Sequence, residues 1–309
     1  MMKVVVTGGA GYIGTTLVPI LLENGFRVHV LDNLMFGGTG LFSHFIHPQF
    51  SFAQVDIRNR SALKEQLKDA DIIVHLAALV GYPICKKHPR IAEEINVDGA
   101  RNVAELAPKG TRLVYASTGS NYGEIQGICT EDSPLNPLSL YGRTKTTAER
   151  IFLDSENSVS LRFATAFGIS PRLRLDLLIN DFTHQAIHQR FLVVYEKHFR
   201  RTFIHVRDIA RAINFVMDPE CCNGYNLFNV GNERLNFTKE DIVNLLRDRL
   251  DFLVHFAEIG SDADKRDYEV DYSRIRSTGY STLIDIEQGL SELIEALKIL
   301  PIKNPYSNV

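Results

Sequence analysis

The sequence predicts an α/β fold: a doubly wound parallel sheet followed by a smaller C-terminal α/β region. Two observations carry this. Short apolar runs alternate with helix-patterned stretches through the first half of the 309 residues. These runs are continuous rather than alternating, as expected of strands buried on both faces. The pattern then changes after Gly168, where shorter strands and helices follow one another less regularly.

In chain order, Val4–Thr7 reads as the first strand and Tyr12–Glu23 as the first helix, closed by Asn24-Gly25. Val28–Leu31, Phe50–Val55, Ile72–Leu76, Leu113–Ala116 and Ser158–Phe163 continue the strands. Helices are predicted between them at Ser61–Lys68, Arg90–Leu106 and Leu138–Leu153. Their crossovers should be right-handed. Beyond Gly168, Arg172–Gln189 reads as a helix, Leu192–Tyr195 and Thr202–His205 as short strands, and Asp208–Met217 as a helix. Tyr225–Val230 reads as a strand. Helices near Thr238–Arg249, with Thr238 as N-cap, and Ile284–Leu297 complete the series. The expected division is a first domain over residues 1–168, with 203–230 returning to it, and a second over 169–202 and 231–309. The tail Pro301–Val309 is expected to fray.

The totals exclude several classes. Apolar residues make up 45%, enough for a substantial core, and 34 basic against 37 acidic residues give a net charge of −3. No basic run supports a nucleic-acid or membrane-surface partner. The start breaks into glycines after three valines, too short for a signal-peptide core, and no apolar run is long enough to span a bilayer. Cys85, Cys129, Cys221 and Cys222 are scattered except for the last two, which read as ordinary thiols near Asn223-Gly224. A reducing cytoplasm is the expected location. No metal site is expected.

Thr7-Gly8-Gly9-Ala10-Gly11-Tyr12-Ile13-Gly14 joins the first strand to the first helix. Gly8 permits the tight turn, Gly11 lets a pyrophosphate approach the backbone, and Gly14 allows close helix–strand packing. The helix start at Tyr12, Ile13 and Gly14 offers free N–H groups and partial positive charge to phosphates. A strand–turn–helix setting is what a Rossmann-type dinucleotide site requires. Asp32 ends the second strand, placed to accept hydrogen bonds from ribose hydroxyls and to repel a 2′-phosphate, which favours NAD over NADP. Asn33 adjoins it. Asp56-Ile57 is a candidate cover for the adenine edge, and Leu76-Ala77-Ala78 a small-residue approach to the cofactor.

Tyr141 and Lys145 stand four apart on a predicted helix, so their side chains share one face. A free tyrosine has a pKa of about 10, and lowering it by ~3 units needs only ~4 kcal/mol from a nearby ammonium and a cationic nicotinamide. The tyrosinate could then take a proton from a sugar hydroxyl while hydride leaves for NAD. Ser117, Thr118, Gly119 and Ser120 follow the fifth strand, at the carboxyl end where such sheets bind ligands.

Together these residues resemble the extended short-chain dehydrogenase/reductase family, and within it the NAD-dependent nucleotide-sugar epimerases and dehydratases. The resemblance runs over nearly the whole chain. It implies catalytic roles for Thr118, Tyr141 and Lys145, and a structural asparagine beside the cofactor site at Asn96. It also implies that the segment Leu161–Gly168, including Thr165 and Phe167, crosses the nicotinamide and opens the sugar site. Asn180, Arg201 and Arg266 match residues that touch the substrate diphosphate, a role that suits bidentate guanidinium. Arg172 and Arg174 are further candidates for phosphate or sugar contacts, and His205 reads as structural. In the 4,6-dehydratases an acidic pair follows the catalytic threonine; Gly119 and Ser120 stand there instead, which disfavours elimination. Thr165 replaces the asparagine of many epimerases. The stretches Ala78–Pro83 and Arg172–Leu178 are similar to a branch that includes bacterial GDP-heptose C4 dehydrogenases of surface-polysaccharide biosynthesis. The expectation is therefore NAD-dependent oxidation and reduction at C4 of a GDP- or UDP-linked sugar, as an epimerase or a dehydrogenase. The rival from another class is a non-catalytic dinucleotide-binding sensor or scaffold. The helices Arg90–Leu106 and Leu138–Leu153 resemble those that pair in the family's dimers, so a homodimer is expected, with a tetramer as the alternative.

Overall fold

A computed structural model describes residues 1–123, 127–257 and 269–300. The described residues form a seven-stranded parallel sheet, running from one edge through Leu227–Val230, Ser158–Phe163, Arg112–Thr118, Ile72–His75, Lys3–Thr7 and Arg27–Asp32 to Phe50–Gln54. The winding direction reverses between Lys3–Thr7 and Ile72–His75. At such a switch point the loops beyond the carboxyl ends diverge and leave a crevice. Val4, Val5, Val6, Ile73, Val74 and Val114 are fully buried, because helices cover both faces of the sheet.

The second half differs from the sequence expectation at the start of one helix. The predicted helix Arg172–Gln189 begins only at Leu178 and ends at His188. Residues 172–177 instead form a loop of bends and a turn, where Arg174 pairs with Asp176 and Asn180 Nδ2 donates to the Arg174 carbonyl at 2.9 Å. Those contacts satisfy the backbone and side chains outside a helix, overriding the local propensity. The strand Arg200–His205 lies between Asn236–Thr238 and Thr165–Phe167 in a separate three-stranded sheet. Within 203–230, Leu227–Val230 joins the large sheet, and Ile204, Ile209, Ile213 and Val216 pack into the core beside it.

The predicted helix Arg90–Leu106 is three consecutive pieces: Pro89–Glu93, a π-helical turn Glu94–Gly99, and Ala100–Leu106. Thr238 caps the helix Lys239–Arg247 in a reciprocal capping box with Asp241. The four cysteines are free thiols.

A second core of Phe167, Leu192, Phe203, Leu246, Leu290 and neighbours holds the C-terminal elements together. The two halves are joined at the glycine turn. Tyr12 Oη donates to the Gly168 carbonyl at 2.8 Å, Ser170 Oγ donates to the Tyr12 carbonyl at 2.7 Å, and Thr15 Oγ1 and Ser170 Oγ lie 2.9 Å apart. The chain after the sixth strand is thus clasped onto the start of the first helix.

Candidate active site

The glycine turn is built by what side chains would strike. Gly8 has φ +72°, and a Cβ there would sit 2.5 Å from the Ala77 backbone nitrogen. A Cβ on Gly14 would sit 2.5 Å from Gly9 Cα. Both positions require glycine for the turn to approach the end of the fourth strand and the helix to approach the turn. Asp32 accepts hydrogen bonds from the Ala10 and Leu34 backbone N–H groups at 3.1 and 2.8 Å. Burial pushes its carboxyl up, and those two bonds oppose the shift. Asn33 donates to Asp56 at 3.2 Å. Hydrogen bonds from Arg58 hold Asp56 down at about 2.

Across the crevice, the helix Leu140–Leu153 is capped by Ser139, whose Oγ accepts from the Gly142 N–H at 3.0 Å. It carries Tyr141 and Lys145 inward. Lys145 is buried, with Nζ 4.3 Å from the centroid of the Tyr115 ring. Burial pushes its ammonium down to about 7, against the opposing fields of Glu149 and Cys85. Thr118 ends the strand Arg112–Thr118, and its Oγ1 accepts from the Ser120 N–H at 3.2 Å.

One cavity of about 670 Å³ connects these parts. Gly8, Gly11, Tyr12, Ile13, Gly14, Asp32, Asn33, Asp56, Ile57, Leu76, Ala77 and Ala78 line it, as do Ser117, Thr118, Ser120, Tyr141, Lys145 and Thr165. Arg172, Arg174, Arg201 and Lys239 also border it. The helix N-terminus, the acidic strand end and the side-chain-free turn fit the phosphates and ribose of a dinucleotide.

The family description "NAD dependent epimerase/dehydratase family" matches residues 4–231. This chain belongs to the NAD dependent epimerase/dehydratase family. Like other members it is an enzyme, and its cofactor is NAD. The chain is 31% identical over 308 residues to the low-salt glycan biosynthesis protein Agl12 of Haloferax volcanii, covering 95% of this chain and 98% of that one. It is 31% identical over 274 residues to a UDP-glucose 4-epimerase of Halalkalibacterium halodurans, covering 80% of each. Among solved structures, the UDP-glucuronic acid 4-epimerase of Bacillus cereus, in complex with UDP-glucuronic acid and NAD, superposes with a TM-score of 0.85 at 25% identity, over 96% of this chain and 99% of that one.

Against this family background, several predicted site residues lie elsewhere. Asn96 lies outside the cavity wall and is buried in the π-turn. There its amide accepts from the Leu79 N–H at 2.7 Å and donates to the Leu79 carbonyl and to Thr144 Oγ1, each at 3.0 Å. It shapes the loop after the fourth strand. Phe167 is buried in the second core, edge-on to His205 and Phe203. Gly119 is buried behind the cavity wall. Asn180 is fully buried; its Oδ1 accepts from the Gly168 N–H at 3.0 Å, so its amide braces the clasp. Arg266 lies outside the described residues. His205 is buried and held at about 4 chiefly by burial, and its Nδ1 accepts from the Arg207 N–H at 3.2 Å.

Arg172 Nε donates to the Phe36 carbonyl at 3.4 Å, and its guanidinium lies 5.5 Å from the Phe36 ring. Arg174 forms a two-point ion pair with Asp176. The sequence reading passed over Phe36, Asp176, Glu149 and Arg162. Glu149 carried a signal, since it extends the four-residue spacing of Tyr141 and Lys145 by one step.

Among the described residues, no helix is long and apolar enough to cross a membrane, and no His/Cys/Asp/Glu group could hold a metal ion.

An expected outcome at the adenosine end follows from Asp32. Asp32→Ala should weaken NAD binding about tenfold, because it removes the expected ribose acceptor and the anchor of the Ala10 N–H. Titration calorimetry checks this. Tighter binding of NADP than NAD by the unaltered protein would contradict the ribose argument.

Proposed function

We propose that this enzyme oxidises the C4 hydroxyl of a nucleoside-diphosphate sugar and returns the hydride to the other face of the 4-keto sugar, producing the C4 epimer. The observation that carries the reading is the shared cavity, which brings Thr118, Tyr141 and Lys145 to the same space as the glycine turn. Bound NAD supplies the hydride acceptor. Thr118 orients the sugar hydroxyl. Tyr141, as phenolate, takes its proton, and Lys145 stabilises the phenolate by its charge. Arg201, buried near the far end of the cavity, supplies guanidinium for the diphosphate. Arg172 and Arg174 add contacts toward the sugar or phosphates. The printed names of the relatives, a UDP-glucose 4-epimerase and a UDP-glucuronic acid 4-epimerase, support a uridine nucleotide. Ser120 and Gly119 provide no carboxyl group after Thr118, so elimination at C5–C6 is disfavoured.

The second reading is a C4 dehydrogenase acting on a GDP-linked sugar, with the keto sugar released. It rests on the loop Arg172–Leu177 and the loop Ala78–Pro83, both at the cavity. Incubation of the NAD-loaded protein with UDP- and GDP-linked sugars separates the two. An epimer formed without net NADH supports the first. A released keto sugar with stoichiometric NADH supports the second. No conversion of any such sugar would overturn both. The reading also carries a cytoplasmic location and a homodimer, the latter checked by light scattering.

A further inference from the structure

Behind the cavity wall lies a buried ionic cluster. Glu149 is 1% exposed and Arg162 is 4% exposed. Arg162 Nη2 donates to Glu149 Oε1 at 2.7 Å, and its Nε lies 3.2 and 3.0 Å from the two carboxylate oxygens. Ser117 Oγ donates to Oε2 at 2.6 Å, and Asn121 Nδ2 donates to the same oxygen at 3.2 Å. Every one of these neighbours is a donor. Only an acceptor-only group, a carboxylate, satisfies them all.

We propose that Glu149 is a positioning residue of the catalytic set: locked by Arg162, its carboxylate fixes the strand end that carries Thr118 and keeps the ammonium of Lys145 charged behind Tyr141. Two independent geometries lead there. First, Ser117 and Arg162 are partners across the parallel ladder, and Thr118 pairs with Phe163. Glu149 bridges that rung to the helix carrying Tyr141, so strand and helix are held at one distance. Second, Glu149 lies one helical turn beyond Lys145, on the same face.

The groups facing Lys145 come from four elements. Tyr141 and Glu149 lie on its own helix. Cys85 faces it from the helix Tyr82–Lys87, with its thiol pushed up to about 11 by burial. Tyr115 offers its ring face and donates its hydroxyl to the Lys145 carbonyl at 3.4 Å. His75, stacked on Tyr115, is held neutral at about 3, by burial first and then by Lys145 itself. Of these, Glu149 is the one carboxyl group, paired with Arg162. It is the carboxylate end of the ion pair whose field reaches the lysine.

The sign follows. Removing the Glu149 charge favours neutral Lys145. A neutral lysine no longer stabilises the phenolate, so the proton of Tyr141 is held to higher pH.

The test uses the NAD-loaded protein and needs no substrate. The ultraviolet change on phenolate formation is titrated with pH, and the Tyr141 signal is identified by its absence in Tyr141→Phe. In Glu149→Gln the midpoint should rise by about one pH unit. In Glu149→Asp, which keeps the charge but withdraws it by one methylene, the rise should be smaller. A folded Glu149→Gln protein with an unmoved midpoint would overturn the proposal. If that chain does not fold, Glu149→Asp decides in the same way: a rise supports the proposal and an unmoved midpoint overturns it. The inference rests on Tyr141 as the base only through its pairing with Lys145. Turnover retained in Tyr141→Phe would sink the functional reading, whereas an unmoved midpoint sinks this one alone.

Discussion

Tyr141→Phe is expected to lower turnover about 10³-fold, while the protein stays folded and still binds NAD. The substitution removes one hydroxyl at the cavity wall and keeps the ring that packs beside Leu79 and Cys85. The proposed base is then absent. Lys145, with its ammonium pushed down to about 7 by burial, lines the same cavity and could inherit the task. It would do so from a position set by the Tyr115 ring rather than by the substrate. A steady-state assay beside a cofactor-binding titration checks both halves of the expectation. Turnover within tenfold of the parent would show that Tyr141 is not the base.

Gly8→Ala is the second substitution with a large expected effect. The residue sits at φ +72°, which costs an alanine about 1 kcal/mol. The new methyl would also meet the Ala77 backbone at 2.5 Å, where nothing flexible can yield. Forced overlap in a packed interior typically costs 1–3 kcal/mol more, so the loss of stability should be roughly 2–4 kcal/mol. NAD affinity should fall by about two orders of magnitude, because the turn and the fourth strand end can no longer both stand against the pyrophosphate. Thermal unfolding with and without NAD measures both effects. An unchanged melting temperature with intact cofactor binding would show that the turn has room the structure does not provide.

What could be read from the sequence was local chemistry. The glycine turn, Asp32 and the Tyr141–Lys145 pair are legible because each is a pattern of near neighbours in the chain. Their strands and helices were placed to within a few residues. Residues 172–177 carry a helical pattern, but their conformation is set from outside. Asn180 holds the Arg174 carbonyl, and Asp176 holds the guanidinium. The cofactor contact expected of Phe167 rests on its place in a matching segment. A resemblance fixes the position of a residue, though not the face its side chain takes, and Phe167 turns into the second core beside His205. Asn180 likewise turns inward. Its amide is spent on Gly168, twelve residues back, a partner no spacing rule identifies. Glu149 lay in the right register on the catalytic helix, but its meaning depends on Arg162 and Ser117, which come from two adjacent strands.

The clasp between Tyr12, Thr15, Gly168 and Ser170 means that the two halves of the chain share one lock. The loop that would bear on the sugar cannot lift without disturbing the backbone that cradles the cofactor phosphates. Whatever NAD contributes to the glycine turn by mass action is therefore transmitted to the C-terminal lobe. Cofactor loading should protect that lobe from proteases, and both lobes should melt in a single cooperative transition.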